Sequence, residues 1–402
     1  MVAPAPSGYR VVTANLGVKD STPDFCLIVS DRPAAAAGVY TKSRFAGPSV
    51  ERSRDVTATG AARAIAVISK NANVANGPVG DADALEFQEL AAGLAGCRPE
   101  EVVIASTGVI GRPYPMERIR DGLARLGLEP QPRPADHDGF WSAAEAIMTT
   151  DTVAKLATAE VLDDEGRPCA VVCGIAKGVG MIEPDMATLL AFFLTDAAVD
   201  AEDLDRCFRR VVDRTFNALS IDTDTSTSDT AVILANGPVD GPGRVDIGRL
   251  EAALGAVALD LVLMIAADGE GASKVIEVTT GGARDPEQAR RVAKSIVNSP
   301  LVKTAVHGAD PNWGRIVMAV GKCADDTDIN PDRVTVAIGD TRLYPIRSAP
   351  AEQEAALVQA ARHLGGDHVR LVVDLGIGDA TFVAYGCDLT DGYVRINADY
   401  TT

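Results

Sequence analysis

Short apolar runs of strand length alternate with amphipathic helical stretches along the chain, and that mixed order excludes both a helical bundle and a sandwich of sheets alone. Ala64-Ile65-Ala66-Val67-Ile68 and Val102-Val103-Ile104-Ala105 each end in polar or glycine-containing sequence, as inner strands do. From Asp203 to Leu219, the residues Leu204, Phe208, Val211, Val212, Thr215, Phe216 and Leu219 fall at three- and four-residue spacing and predict a helix with one buried face. That helix feeds a strand at Ala231-Val232-Ile233-Leu234. Another helix is predicted from Asp285, with Pro286 at its first position and its end before Ser299-Pro300. In the strand before it, Ile276 and Val278 alternate with Glu277 and Thr279, so one sheet face is covered and the other partly wet. Helices are also predicted from Leu250 to Ala266 and, as the last of the chain, from Glu352 to Leu364. Asp163 to Arg167 reads as a hairpin turn, and Asn236 to Gly243 as a long loop. The expected architecture is α/β with layered sheets; whether strands run parallel or antiparallel is not readable.

At 402 residues the chain exceeds one ordinary core, so either several globular units or one large layered body is expected. An apolar content of 47% with 23% charged residues is that of a globular protein. No stretch reads as the roughly 20 apolar residues of a membrane span, and Met1 to Ser7 lacks the basic start and apolar core of a secretory signal. A cytoplasmic location without a membrane partner is the expectation. The net charge of −18 disfavours nucleic acid and leaves room for small zwitterionic or cationic substrates. Seven scattered cysteines do not make a disulfide framework. Cys169 and Cys173 lack a second metal-spaced pair and read as core residues, so no metal and no cofactor is assigned. Asp222, Asp224 and Ser226 imitate an EF-hand opening, but Thr227 stands where glycine is needed and Ile233 where the bidentate Glu belongs.

The four histidines stand in no familiar catalytic motif, so acyl chemistry would need another base. A stretch from Lys177 through Gly178-Val179-Gly180 to Glu183-Pro184-Asp185-Met186-Ala187-Thr188 runs a glycine-rich turn and a proline into Ala-Thr at the mouth of an apolar strand. If the Thr188 hydroxyl attacks the Ala187 carbonyl, an N-to-O shift gives an ester. Water then frees a threonine with its own α-amino group. Such an amine has a reference pKa near ~7.7–8, so one residue supplies both nucleophile and base.

This stretch resembles the cleavage site of the ornithine acetyltransferase family, also called glutamate N-acetyltransferase. Matching segments run nearly the whole chain: Ala105 to Gly111, Ile147 to Thr152, Phe216 to Thr230, Asp268 to Gly271, His307 to Arg315, and the tail from Cys387 to Thr402. The resemblance implies a fold of the N-terminal-nucleophile type. It also implies an α-chain of residues 1–187 and a β-chain of residues 188–402 that stay intertwined and assemble as α2β2 or larger. Thr107 and Gly108 would form the oxyanion hole, a turn after a strand being able to aim a backbone N–H and a hydroxyl at one point. Lys177 would take a substrate α-carboxylate. Thr149 or Thr150, Glu270, Asn397 and Thr402 would complete the substrate site, with Glu270 suited to an ammonium group; which of the two threonines points inward stays open. Val179 between the glycines and Asp185 after the proline depart from the Ser and Asn expected there, and Asn73 to Asn76 differs from the usual small-residue run. Val179 and Asp185 look closer to the branch found beside clavulanic acid genes in actinomycetes.

The function implied is ping-pong transfer of acetyl from N-acetylornithine to glutamate through an acetyl-Thr188 ester, with acetyl-CoA left open as a further donor. Two other readings remain at this level. A self-processed aminopeptidase or amidase would pass the same acyl-enzyme to water, and a non-catalytic amino-acid-binding protein would never cleave.

Overall fold

In this computed structural model, residues 4–127, 135–183, 189–237, 245–346 and 348–399 are described. In chain order the first elements are β1 (Tyr9–Ala14), β2 (Phe25–Tyr40), α1 (Pro48–Ala58), β3 (Ala61–Ile68), α2 (Gly77–Ala95), β4 (Val102–Ser106), α3 (Met116–Leu126) and α4 (His137–Ala146). Then come β5 (Lys155–Leu162), β6 (Pro168–Lys177), β7 (Leu190–Thr195), α5 (Ala201–Arg214), β8 (Leu219–Ser220), β9 (Thr230–Ala235) and α6 (Ile247–Ala267). The rest comprises β10 (Val275–Ala283), α7 (Pro286–Val297), α8 (Pro300–His307), α9 (Trp313–Gly321), β11 (Thr335–Ile338), β12 (Thr341–Tyr344), α10 (Pro350–Leu364), β13 (His368–Asp374), β14 (Ala380–Cys387) and α11 (Asp391–Asp399).

Two compact units result, one from Met1–Asn217 and Asp224–Leu261, the other from Ala218–Thr223 and Val262–Tyr400. The first is built on a sheet ordered β4-β3-β2-β9-β7-β6-β5, with β1 paired to β2. The pairs β3–β4 and β7–β9 are parallel and the others antiparallel. Its inner strands are largely apolar on both faces, and the pleat deals the side chains alternately to two cores. Cys26, Ile28, Ile65, Val67, Val103 and Ala105 meet Val50 and Val56 of α1 and Phe140 of α4 on one side. Leu27, Val29, Ala64, Ala66, Val102 and Ile104 meet Phe87 and Ala91 of α2 and Ile119 of α3 on the other. This is the expected layered α/β arrangement, and β3 and β4 fall where they were expected.

The second unit carries a sheet ordered β12-β11-β13-β10-β14-β8, in which β10–β13 and β14–β8 are parallel. One core packs Ile276, Val278, Leu371 and Val373 against Val292, Ile296 and Val297 of α7. Helix α7 begins as expected: the Asp285 side chain accepts from the Gln288 N–H and Pro286 occupies the first turn, where a missing N–H costs nothing.

Four readings need correction. Helix α5 stops at Arg214 rather than Leu219, because Thr215 leaves the helical region (φ −120°, ψ −83°) and a short 3-10 turn over Phe216–Ala218 follows. The tail adds α11 beyond the helix taken as the last; with no buried residue it carries no apolar stripe to read. Cys169 is exposed while Cys173 is buried, so only one of the two is a core cysteine. Helix α6 is, by length and composition, apolar enough to cross a membrane, contrary to the reading above. It is nevertheless packed against protein: Leu254, Val257, Leu261 and Ile265 are buried. A Cβ on Gly174 of β6 would lie 2.7 Å from Val257 Cγ1, so the helix sits directly on the sheet.

Candidate active site

In the first unit, β4 runs out at Ser106 into Thr107 and Gly108, and the segment after β3 lies against them. That segment takes positive φ at Lys70 (74°), Asn73 (50°) and Ala75 (62°), conformations that cost free energy for residues bearing a Cβ. Hydrogen bonds over-determine it: Ala72 N–H donates to Val109 O at 3.0 Å, Gly111 N–H to Val74 O at 2.9 Å, and Asn71 Nδ2 to Pro113 O at 3.0 Å. Gly108 has φ +130°, and a Cβ there would fall 2.2 Å from the Lys70 carbonyl carbon. Only glycine fits.

This packing leaves a donor over. The Thr107 N–H is spent on Ile68 O at 3.1 Å, whereas the Gly108 N–H meets no backbone acceptor among the described residues. Thr107 is buried, and its Oγ1 accepts from the Nζ of buried Lys177 at 3.3 Å. A hydroxyl that accepts in this way keeps its own hydrogen to donate elsewhere. A backbone N–H and an oriented O–H beside a buried ammonium are what a developing oxyanion needs.

Lys177 ends β6, opposite Leu190 in register, and Leu190 pairs in turn with Thr230 of β9. Behind this row lies an acid that sequence reasoning quoted in a motif but gave no role. Asp151 Oδ1 accepts from Lys155 Nζ at 2.8 Å and from the Gly178 N–H at 2.7 Å, and its Oδ2 accepts from the Thr149 N–H at 3.1 Å. Burial pushes its carboxyl up, but the charges of Lys177 and Lys155 and the hydrogen bonds outweigh that and hold it below the ordinary carboxylate range. A carboxyl with a depressed folded pKa contributes stability that is present at neutral pH and lost as pH falls below about 4. Asp151→Ala would remove a buried carboxylate from two buried ammonium groups and should cost about 3–5 kcal/mol, read as a lower urea midpoint at pH 7; an unchanged midpoint would deny the cluster its role. Thr149 and Thr150 sit half-buried in the bend after α4, the first positioned by Asp151.

The second acid without an assigned role is Asp229. Its Oδ1 accepts from the Leu189 N–H at 2.9 Å, and Thr230 N–H returns a bond to Leu189 O at 3.1 Å. Ala187, Thr188 and Thr402 lie outside the described residues.

In the second unit, Glu270 follows α6 and receives a hydrogen bond from Asn397 Nδ2 at 2.8 Å. Two of the expected substrate residues, 127 positions apart, therefore meet. Gly271 (φ +70°) is pressed against the tail, a Cβ there lying 2.4 Å from Tyr393 N, while Thr390 Oγ1 donates to Gly271 O at 2.6 Å. A cavity of about 130 Å³ is lined here by Asp222, Glu270, Asp388 and Tyr393, with the ammonium of Lys303 turned to Cys387 O at 2.5 Å. Ser273, His307 and Asp388 also gather nearby, but not as a hydrolytic triad. The Ser273 hydroxyl donates to Asp388 Oδ2 and faces the same Nδ1 of His307 that the carboxylate holds, so no ring nitrogen is placed to take its proton. Among the described residues no group of three or more His, Cys, Asp or Glu could hold a metal ion.

The family model described as the ArgJ family matches residues 10–402. The chain belongs to the ArgJ family. Glutamate N-acetyltransferase Oat2 of Streptomyces clavuligerus is 55% identical over 99% of this chain and 98% of that protein. Arginine biosynthesis bifunctional protein ArgJ 2 of a Nostoc strain is 53% identical over 99% and 98%. Among solved structures, the arginine biosynthesis bifunctional protein ArgJ of Bacillus halodurans is 39% identical, covering 51% of this chain and 96% of that one, with a TM-score of 0.46.

Proposed function

We propose that this ArgJ-family acyltransferase cuts itself between Ala187 and Thr188 and then carries acetyl from N-acetylornithine to glutamate on the Thr188 hydroxyl. The observation that carries the reading is the buried Lys177–Thr107 contact beside the Gly108 N–H, which meets no backbone acceptor among the described residues, where β6 ends and β7 starts two residues after Thr188. An ammonium and two oriented donors suit an acyl transfer whose charge develops on the carbonyl oxygen. In this reading the Thr188 amine takes the hydroxyl proton, the hydroxyl oxygen attacks the acetyl carbon, and ornithine leaves with the proton on its nitrogen. Glutamate reverses the sequence on the same ester. Lys177 holds the α-carboxylate common to donor and acceptor, Thr149 or Thr150 adds a contact, and Glu270, with Asn397 and Thr402, serves the substrate's cationic end. Carboxylates of Asp222, Glu270 and Asp388 around the second unit's cavity support that last assignment. Residues 1–187 and 188–402 then remain associated as two chains, paired as α2β2 or larger, in the cytoplasm.

Mass spectrometry of the purified protein tests the reading. A fragment starting at Thr188 should appear and gain one acetyl group when N-acetylornithine is supplied without glutamate. Adding glutamate should discharge it as acetylglutamate; free acetate in its place would make the enzyme a hydrolase, and an unbroken active chain would overturn the mechanism. Lys177→Ala should still be cut but bind donor about 10- to 100-fold more weakly, the worth of a charged hydrogen bond. A wild-type KM would remove Lys177 from the pocket.

A further inference from the structure

Asp229 is wholly buried, and one of its two carboxyl oxygens is spent on the N–H of the residue that follows Thr188. The other, Oδ2, has no hydrogen-bond partner among the described residues. A buried polar atom left unpaired costs free energy, and each such atom calls for an explanation. Covalent geometry supplies one. Standard bond lengths keep the nitrogen of Thr188 within about 4 Å of the Leu189 nitrogen, and Asp229 Oδ1 lies 2.9 Å beyond. Scission at Ala187–Thr188 would turn that nitrogen from an uncharged amide into a titratable amine, one bonded residue away from a buried carboxyl with an unpaired oxygen.

We infer that Asp229 is a positioning residue for Thr188, acting as the buried counter-charge that stabilises the ammonium formed when the Thr188 amine takes the hydroxyl proton. The inference rests on the reading of Thr188 as nucleophile. Proton bookkeeping closes without an outside reagent. In the uncut chain burial pushes the Asp229 carboxyl well above the ordinary range, despite the Leu189 N–H and the charge of Lys177, and so favours its protonated form. After scission the amine takes up that proton: the Asp229 O–H bond breaks, an N–H bond forms, and a carboxylate–ammonium pair results. For attack, the amine gives up its extra proton to solvent and then accepts the one from the threonine hydroxyl, next to a carboxylate that favours its charge. The arrangement follows a base held by a third group, as nucleophile–base pairs commonly are. Among the described residues, Lys177 of β6 acts on Asp229 directly, and Lys177 also acts on Asp151, which Lys155 holds. Tyr40 of β2, in register with Thr230, spends its hydroxyl on Ser53 O and Thr57 Oγ1.

The test is the pH profile of Asp229→Asn, whose amide oxygen can still accept from Leu189. A carboxylate beside the amine raises the amine's pKa, so its loss should move the acid limb of kcat down by at least about one pH unit. Maximal kcat should fall about tenfold or more, with KM for N-acetylornithine kept. An acid limb that stays in place in a cut variant overturns the assignment. If the variant is not cut, wild-type protein decides instead: carbon-13 spectra of labelled aspartate should show one carboxyl titrating far above pH 4 in uncut Thr188→Ala protein and ionised at pH 7 in cut wild type. No difference between the two would overturn it equally. An uncut but active wild type would sink the nucleophile reading itself, whereas a cut and active wild type with an unmoved limb removes Asp229 alone.

Discussion

Thr188→Ala should migrate on denaturing electrophoresis as one full-length band and lose acetyl transfer by on the order of 10^4-fold or more, as enzymes do when the attacking atom is deleted. Both losses have one origin. Without the hydroxyl there is no N-to-O shift, hence no free amine, and neither nucleophile nor base is formed. The fold should be indifferent, because the neighbouring backbone is held independently: Leu189 bonds Asp229 and Thr230 whatever side chain precedes it. Two bands, or a transfer rate within tenfold of wild type, would place the chemistry on another residue. Thr188→Ser should retain cleavage and transfer, since it keeps the hydroxyl and the amine.

Gly108→Ala should lower kcat roughly 100- to 1,000-fold while leaving KM within a few-fold, the signature of a donor used in the transition state alone. Its added Cβ would sit 2.2 Å from the Lys70 carbonyl carbon, 2.5 Å from Lys70 Cα and 2.6 Å from Asn71 N. No side chain can swing aside there; the obstacle is backbone. The turn must therefore shift, taking the Gly108 N–H off its aim and straining the bonds between residues 72 and 109. A variant with unchanged kcat would show that the oxyanion rests elsewhere.

Much of the fold was legible where local chemistry agreed with tertiary demand. The runs at β3 and β4 read as inner strands because both of their faces are apolar, and α7 announced its start through Asp285 and Pro286. Helix α11 was silent because it buries nothing. Helix α5 was read too long because Phe216 and Leu219 continue its spacing after the backbone has turned away. Strand direction required partners distant in sequence, such as Leu190 against Thr230. The site divides in the same way. Thr107, Gly108, Lys177 and Glu270 were reached through family likeness, but that Lys177 touches Thr107, seventy positions away, is a fact of the sheet. Asp151 and Asp229 carry no readable signal in the sequence, since an acid among threonines and serines looks like loop polarity until its burial is known.

Strand order in the first unit has a bearing on how such an enzyme can be made. Reading across β4-β3-β2-β9-β7-β6-β5, the strands before the scissile bond form two groups, and the two strands after it, β9 and β7, fill the gap between them. Neither product would be a finished object by itself: the first would be missing the middle of its sheet, and the second would offer these two strands as a bare ribbon, too little to stand in water. If the chain is cut as proposed, folding must precede cutting, and the nicked protein should behave in solution as one body that only unfolding can take apart. Under the proposed cleavage, synthesis as a single polypeptide would be the means by which two interlocked chains are threaded together before the link is removed.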